Sequence, residues 1–156
     1  MGKLVIGIDY GTDSCRALVI DTKSGKEVAT YTSFYRRWKE GLFCNPSRNQ
    51  YRQHPQDYID SLEEVIHGVA QQLSSDEVKK VVAIGIDTTG STPCLTDEKG
   101  TPLALLPKHT ENPNAMFFLW KDHTSIQEAN EINELSSKWK IDYTSRSGGI
   151  YSSEWF

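Results

Sequence analysis

Cysteine is scarce in this chain. Cys15, Cys44 and Cys94 are an odd number, widely spaced, and form no Cys-x-x-Cys pair. That argues against a disulfide framework or a cysteine zinc site and fits a reducing, cytoplasmic setting. Long apolar runs are missing too: none approaches the ~20 residues a membrane-spanning helix needs, so no membrane partner is expected. The N-terminus enters an apolar strand directly, without the layout of a signal peptide. Nor is there an excess of positive charge. The net charge is −4, and the basic residues cluster only at Arg36-Arg37-Trp38-Lys39, so nucleic acid is a poor candidate partner. Neither the Gly-x-x-x-x-Gly-Lys-[Ser/Thr] loop nor the Gly-x-Gly-x-x-Gly fingerprint occurs. No internal repeat or low-complexity segment stands out.

What is present suits a soluble globular unit of about one domain: 156 residues, 37% hydrophobic and 24% charged. A unit of this size buries roughly 70% of its unfolded surface. Its most informative stretch is the first. Two β-rich runs, 4–8 and 17–20, flank a short polar segment holding Gly11, Thr12, Asp13, Ser14 and Arg16. The gap is too short for a crossover helix, which predicts an antiparallel hairpin. Gly11 suits a turn where a Cβ would clash, and suits close approach of a ligand. Thr12 and Ser14 offer hydroxyls beside backbone N–H groups, an arrangement fit for phosphate oxygens. Asp9, at the end of a strand expected to be buried, is placed to hold a hydrated Mg²⁺. Arg16 is placed to stabilise charge on a transferring phosphoryl group. The plain alternative is a polar turn with a capping Asp and a solvated Arg, since turns favour these residues anyway.

Further along, residues 22–25 read as a turn and 27–35 as a third strand, which makes a meander. Residues 36–54 form a long polar and aromatic connection, read either as a functional or interface loop or as a surface insertion. Pro55 opens a helix whose apolar face runs through Tyr58, Ile59, Leu62, Val65, Ile66, Val69 and Leu73. His67 lies on its polar side, a surface histidine rather than a metal ligand. Residues 81–87 are almost unbroken apolar, as a central strand covered on both faces would be. They lead into 88–92, small residues at a strand's carboxyl end, either a connecting turn or a ligand loop. Residues 93–96 and 103–106 read as further strand. Then Thr124 with Gln127, or Ser125 with Glu128, caps a helix whose face is Ile126, Ala129, Ile132, Leu135 and Trp139. Asp122 and His123 precede that helix, where side chains reach a pocket, brace a loop or take part in chemistry. At the far end, Ser152 or Ser153 caps an apolar start at Trp155-Phe156, which reads as a piece of something longer.

The stretch Ile6-Gly7-Ile8-Asp9-Tyr10-Gly11-Thr12-Asp13-Ser14-Cys15-Arg16 resembles the first phosphate loop of the sugar-kinase, heat-shock ATPase and actin superfamily. Its full form, apolar-x-apolar-Asp-x-Gly-[Thr/Ser]-x-Ser-x-Arg, is similar to that of the FGGY carbohydrate kinases. The likeness extends over 43–45, 50–55, 87–93, 111–116, 119–124 and 148–156. There it narrows to the branch that phosphorylates L-ribulose. The resemblance implies an α/β, ribonuclease-H-like mixed sheet opening with the antiparallel meander and flanked by helices. It implies that residues 1–156 are the N-terminal part of a first kinase domain, without the second, adenine-side domain. The implied activity is ATP- and Mg²⁺-dependent transfer of a phosphoryl group to the C5 hydroxyl of L-ribulose, in L-arabinose breakdown. Carried over by position, Asp9 matches the magnesium-linked carboxylate, and Gly11, Thr12, Ser14 and Arg16 surround the γ-phosphate. Gly90, Ser91 and Asp122 fall on the sugar side. The basic position after Asp122 reads Thr124, a departure from the family pattern. Asp13 stands where the family often has an uncharged residue, and a second carboxylate beside a triphosphate is unfavourable unless it points away or meets the metal. The family's catalytic base lies further along than Phe156. Alternatives are another ATPase of the superfamily, or a non-catalytic sugar-binding or assembly module. Oligomeric state stays open, a homo-oligomer included.

Overall fold

The structure, a computed structural model, describes residues 2–90 and 92–153. Two compact units divide it: Met1–Leu42 with His54–Gly90, and Phe43–Gln53 with Ser91–Phe156.

The first unit is built on a four-stranded mixed sheet. β1 (Leu4–Tyr10), β2 (Ser14–Asp21) and β3 (Glu27–Phe34) form the expected meander, and β6 (Val81–Thr88) lies parallel to β1, giving the order β3-β2-β1-β6. Alternation along the strands sorts the side chains. Leu4, Ile6, Ile8, Cys15, Ala17, Val19 and Ala29 share the face covered by α2 (Pro55–Ala70), which contributes Val65 and Val69 to the same core. Helix α2 packs on β2 and β3. It begins where predicted, with Pro55 in its first turn and the His54 ring accepting from the Gln56 N–H. A short helix, α1 (Arg36–Lys39), precedes it. Another, α3 (Ser75–Val78), follows, closed by a capping box between Ser74 and Glu77. Gly25, at φ +69°, makes the predicted turn after β2.

Three expectations change here. Residues 81–87 are not a central strand buried on both faces. β6 stands at the sheet edge, with Ile84 and Ile86 56% and 62% exposed, because α2 reaches over β2 and β3 rather than β6. Asp9 does not end a buried strand's covered face. It is exposed, on the sheet face opposite α2. Residues 36–54, read as one long connecting loop, carry α1 and two strands.

The second unit holds those strands, β4 (Cys44–Asn45) and β5 (Gln50–Gln53), which pair antiparallel; β7 (Phe117–Phe118) pairs with β5. Asn49 takes the left-handed conformation at the turn, φ +53°, which a short polar side chain tolerates. A small core gathers Ala104, Ala115 and Met116 with Phe43 and Leu103. The predicted strands at 93–96 and 103–106 reduce to a single bridge, Thr96 to Pro102, and a 3-10 turn, Leu103–Leu105. Helix α4 (Ile126–Ser136) is present with Ser125 at its N-cap position, but no side chain makes the capping bond. Of its predicted apolar face only Ala129 is buried; Ile126, Leu135 and Trp139 are exposed. The reading of a helix start through Trp155 and Phe156 lies outside the described residues.

Candidate functional site

The antiparallel register of β1 and β2 sets Asp9 opposite Arg16, and β2 with β3 sets Arg16 opposite Thr32. On the other side of β1, the parallel register sets Asp9 opposite Asp87. Residues opposite one another share a face, so Asp87, Asp9, Arg16 and Thr32 form one row across the sheet, on the face away from α2. Arg16 leans toward β3, its Nε 3.4 Å from Thr32 Oγ1. One step back along the strands, Gly7 pairs with Gly85, and a Cβ at either would meet no atom within 4 Å. The paired glycines leave bare backbone as the floor of an open depression of about 490 Å³, lined also by Asp9, Arg16, Leu18 and Asp87.

Asp87 was missed from the sequence, yet a signal existed. Ile6-Gly7-Ile8-Asp9 and Ile84-Gly85-Ile86-Asp87 are the same tetrapeptide, and the two copies lie in register on neighbouring parallel strands.

The β1–β2 turn is tied from beneath. Gly11 N–H donates to the Ser14 carbonyl at 2.9 Å, so that N–H is used within the turn. A Cβ at Gly11 would meet only the Ser14 carbonyl, at 3.4 Å, and Gly11 is not in the left-handed region. The turn itself therefore does not demand glycine, and the space beside Gly11 is open to a close neighbour. The Tyr35 hydroxyl, on a fully buried ring, donates to the Gly11 carbonyl at 3.1 Å. That ring stacks on Tyr58 of α2, which also stacks on Tyr10. Burial, with Cys15 nearby, pushes the Tyr10 hydroxyl up to about 12. Burial, then the charge of Asp9, pushes the Cys15 thiol up to about 11. Asp13 turns away from the depression: the Trp38 indole N–H donates to its carboxylate at 2.7 Å. Thr12 and Ser14 sit on this turn, half-buried. At the end of β6, the Thr89 N–H donates to the Tyr10 carbonyl at 3.1 Å, which sets Gly90 just beyond the row. Ser91 lies outside the described residues.

Asp122 belongs to the second unit, where its carboxylate accepts from the protein on every side. Arg52 Nε donates at 2.6 Å, Tyr51 N–H at 2.7 Å, and the Thr124 hydroxyl and N–H at 2.6 and 3.1 Å. Burial alone would raise its pKa, but these hydrogen bonds, led by Arg52, outweigh it and hold the carboxyl below its usual range. Arg52 is itself buried, stacks 3.6 Å over Phe118, and donates to the Pro113 carbonyl, Asn114 and Thr124. Arg52 escaped the sequence reading because nothing local marks a buried arginine in a polar stretch. His123 shares a 2.8 Å hydrogen bond with the Ser153 hydroxyl. The structure thus brings Asp9, Gly11, Thr12, Ser14, Arg16 and Gly90 into one unit, around the carboxyl ends of β1 and β6. Asp122 stands in the other.

Two carboxylates open to water, beside a guanidinium, suit a hydrated hard cation that shares its shell with phosphate. They do not suit a closed all-protein cage; among the described residues no three His, Cys, Asp or Glu side chains are grouped to hold a metal. No helix among the described residues is long and apolar enough to cross a membrane.

Residues 4–150 match the FGGY family of carbohydrate kinases, N-terminal domain. A ribulokinase of Vibrio parahaemolyticus is 52% identical over 153 residues, which cover 97% of this chain and 27% of that protein. A ribulokinase of Halalkalibacterium halodurans is 37% identical over 159 residues, covering 98% and 28%. The chain spans about a quarter of the length of these curated relatives. Among solved structures, gluconate kinase from Lactobacillus acidophilus superposes with a TM-score of 0.64 at 17% identity, over 86% of this chain and 23% of that one. Xylulose kinase from Bifidobacterium adolescentis gives 0.53 at 21% identity, over 91% and 22%. These two show the fold, the actin and sugar-kinase type of mixed sheet. With its phosphate-loop pattern, its meander and a match that runs nearly end to end, the chain belongs to the FGGY family of carbohydrate kinases.

Proposed function

We propose that this chain is the N-terminal part of a kinase that transfers the γ-phosphoryl group of ATP to the C5 hydroxyl of L-ribulose, in the breakdown of L-arabinose. The observation that carries the reading is the row Asp87–Asp9–Arg16 at the carboxyl ends of two parallel strands, next to the Gly11 turn. The identity to ribulokinases supports the choice of sugar.

In this reading Asp9, with Asp87 at its side, would hold a hydrated Mg²⁺. The ion, when bound, neutralises charge on the phosphates and orients them. Gly11 lets the triphosphate approach the backbone, and the Thr12 and Ser14 hydroxyls bond its oxygens. Arg16 stabilises the charge that spreads over the phosphoryl group as it transfers. Gly90 and Ser91 take the sugar side. Asp122, carried over as a sugar-side residue, also fixes Arg52 and the chain on either side of it within the second unit. Proton removal from the sugar hydroxyl, and most adenine contacts, are assigned to the part of the longer kinase beyond these residues.

The test is sugar-dependent ADP release by a polypeptide in which this chain continues to ribulokinase length. Arg16→Ala in that protein should lower kcat by roughly 10²-fold or more while the L-ribulose KM changes little. The 156-residue chain alone should release no ADP above a no-enzyme control. A raised sugar KM with unchanged kcat would place Arg16 at the wrong end of the site.

A further inference from the structure

We propose, on the kinase reading above, that Tyr35 is a positioning residue for phosphoryl transfer. With Trp38 it clamps the β1–β2 turn from the core side and fixes which way the Gly11–Thr12 peptide faces. Three hydrogen bonds make the clamp, all donated by Tyr35 and Trp38 to two residues of the turn. The Tyr35 hydroxyl donates to the Gly11 carbonyl at 3.1 Å, and the Tyr35 N–H to the Asp13 carbonyl at 3.1 Å. The Trp38 indole N–H donates to the Asp13 carboxylate at 2.7 Å. A trans peptide points its C=O and its N–H in opposite directions. The Gly11 carbonyl is turned onto a buried ring that packs against Tyr58 of α2. The Thr12 N–H is thereby aimed away from α2, to the side of the row Asp87–Asp9–Arg16.

Glycine leaves its backbone more conformations than any other residue, and a Cβ at Gly11 would meet only the Ser14 carbonyl. The peptide after it therefore needs a fixed partner to keep one side toward a ligand. Tyr35 is such a partner, because its ring cannot swing away: it is fully buried and stacked 4.8 Å from Tyr58. Burial pushes its hydroxyl well above the usual tyrosine range, so it stays protonated and remains a donor. Filling the core requires only the ring. A buried hydroxyl is costly unless hydrogen-bonded, and its acceptor here is the turn. The clamp also accounts for Asp13. A carboxylate beside phosphate oxygens repels them, but this one is held toward α1 by the indole N–H and anchors the turn instead. Donors fixed before the reaction need no reorganisation when charge develops, so loosening the turn slows transfer.

The test uses the ribulokinase-length polypeptide and reads kcat, both KM values, calorimetric binding of ATP with Mg²⁺, and the melting temperature. Tyr35→Phe keeps the ring and deletes the hydroxyl. It should weaken ATP binding and lower kcat/KM for ATP by about tenfold, on the scale of one hydrogen bond. The L-ribulose KM should not move. Tyr10→Phe deletes a hydroxyl from the same stack, one that donates to the Tyr58 carbonyl and not to the turn. It should keep the parent's kinetics. Asp13→Ala should behave like Tyr35→Phe. Asp13→Asn keeps an oxygen for the indole N–H and sheds the charge, so it should restore kcat and bind ATP at least as tightly as the parent. A lower melting temperature with unchanged kinetics in Tyr35→Phe would make the hydroxyl merely structural and overturn the proposal. An equal kinetic loss in Tyr10→Phe would overturn it too. If Tyr35→Phe does not fold, the Asp13 pair decides, and equal kcat in both variants overturns the clamp. Arg16→Ala judges the kinase reading separately. If it costs roughly 10²-fold in kcat while Tyr35→Phe costs nothing, the positioning role alone falls. If neither changes kcat, or no ADP is released, both fall.

Discussion

Arg52 and Asp122, seventy residues apart in sequence, meet at 2.6 Å with both side chains nearly sealed from water. A pair this buried is costly to assemble and far more costly to break, because the survivor stays buried without its counter-charge. Asp122→Asn should therefore destabilise the chain by about 3–5 kcal/mol at pH 7. The pH dependence has a fixed sign. The folded carboxyl is held below its ordinary value of 3.8, so its contribution is complete above that value and is lost as pH falls through the lowered one. Urea melts at pH 7 and pH 3 should show the variant far less acid-sensitive than the parent. Equal acid sensitivity would mean that Asp122 does not drive it.

Much of the first unit is legible in the sequence. Two β-rich runs, 4–8 and 17–20, with a gap too short for a crossover dictate a hairpin, and Pro55 with its 3,4-spaced apolar residues dictates a helix. Those signals are local. What stayed hidden depends on partners distant in sequence. An apolar run such as 81–87 reads as central whether or not anything covers it, and here nothing described covers Ile84 and Ile86. The phosphate-loop residues were visible because they are contiguous. Asp87 could be placed beside Asp9 only through the parallel register, although the repeated Ile-Gly-Ile-Asp was there to be seen. Arg52 gave no sign, because the burial of a charged side chain is decided by the groups that surround it in space.

Gly68 is a second place where packing leaves no slack. A Cβ there would lie 2.3 Å from Cγ of the Tyr31 ring, which is not a far, flexible end that can swing clear. Gly68→Ala gains at most about 1 kcal/mol of helix propensity, against roughly 1–3 kcal/mol for forcing α2 off β3. The net change should be a loss. In a Tyr31→Ala background the obstacle is gone, and the same substitution should become neutral or stabilising. Thermal melts of the four proteins decide it; additive effects would show that the ring is not the obstacle.

The thiols should be inert while the chain is folded. Burial pushes Cys94 up to about 11, as burial and Asp9 do Cys15, and burial raises Cys44 as well. Only the thiolate attacks, so a rise from 9.0 to about 11 removes about 99% of the reactive form at pH 8. Thiol titration at pH 8 should be slow in buffer and fast for all three groups in guanidinium. Rapid modification of one group in buffer would point to local opening around it.

Asp9 offers a test that separates function from stability in the chain itself. It is exposed, so no burial penalty demands a structural partner, and it faces Asp87 directly across the parallel ladder. Like charges opposite one another on a sheet destabilise it, by about 0.2–1 kcal/mol on the scale of such pairs. Asp9→Asn should therefore raise the melting temperature slightly at low ionic strength, with the gain fading as salt screens the repulsion. Mg²⁺ should reverse the order. The ion stabilises the form that binds it, so the parent's melting temperature should climb with magnesium concentration while that of the variant barely moves. Chloride matched with sodium instead of magnesium controls for screening. If Asp9→Asn destabilises the chain by about 1 kcal/mol or more, the carboxylate holds structure after all. If the variant keeps the parent's full response to magnesium, the ion binds elsewhere and the metal assignment of Asp9 falls.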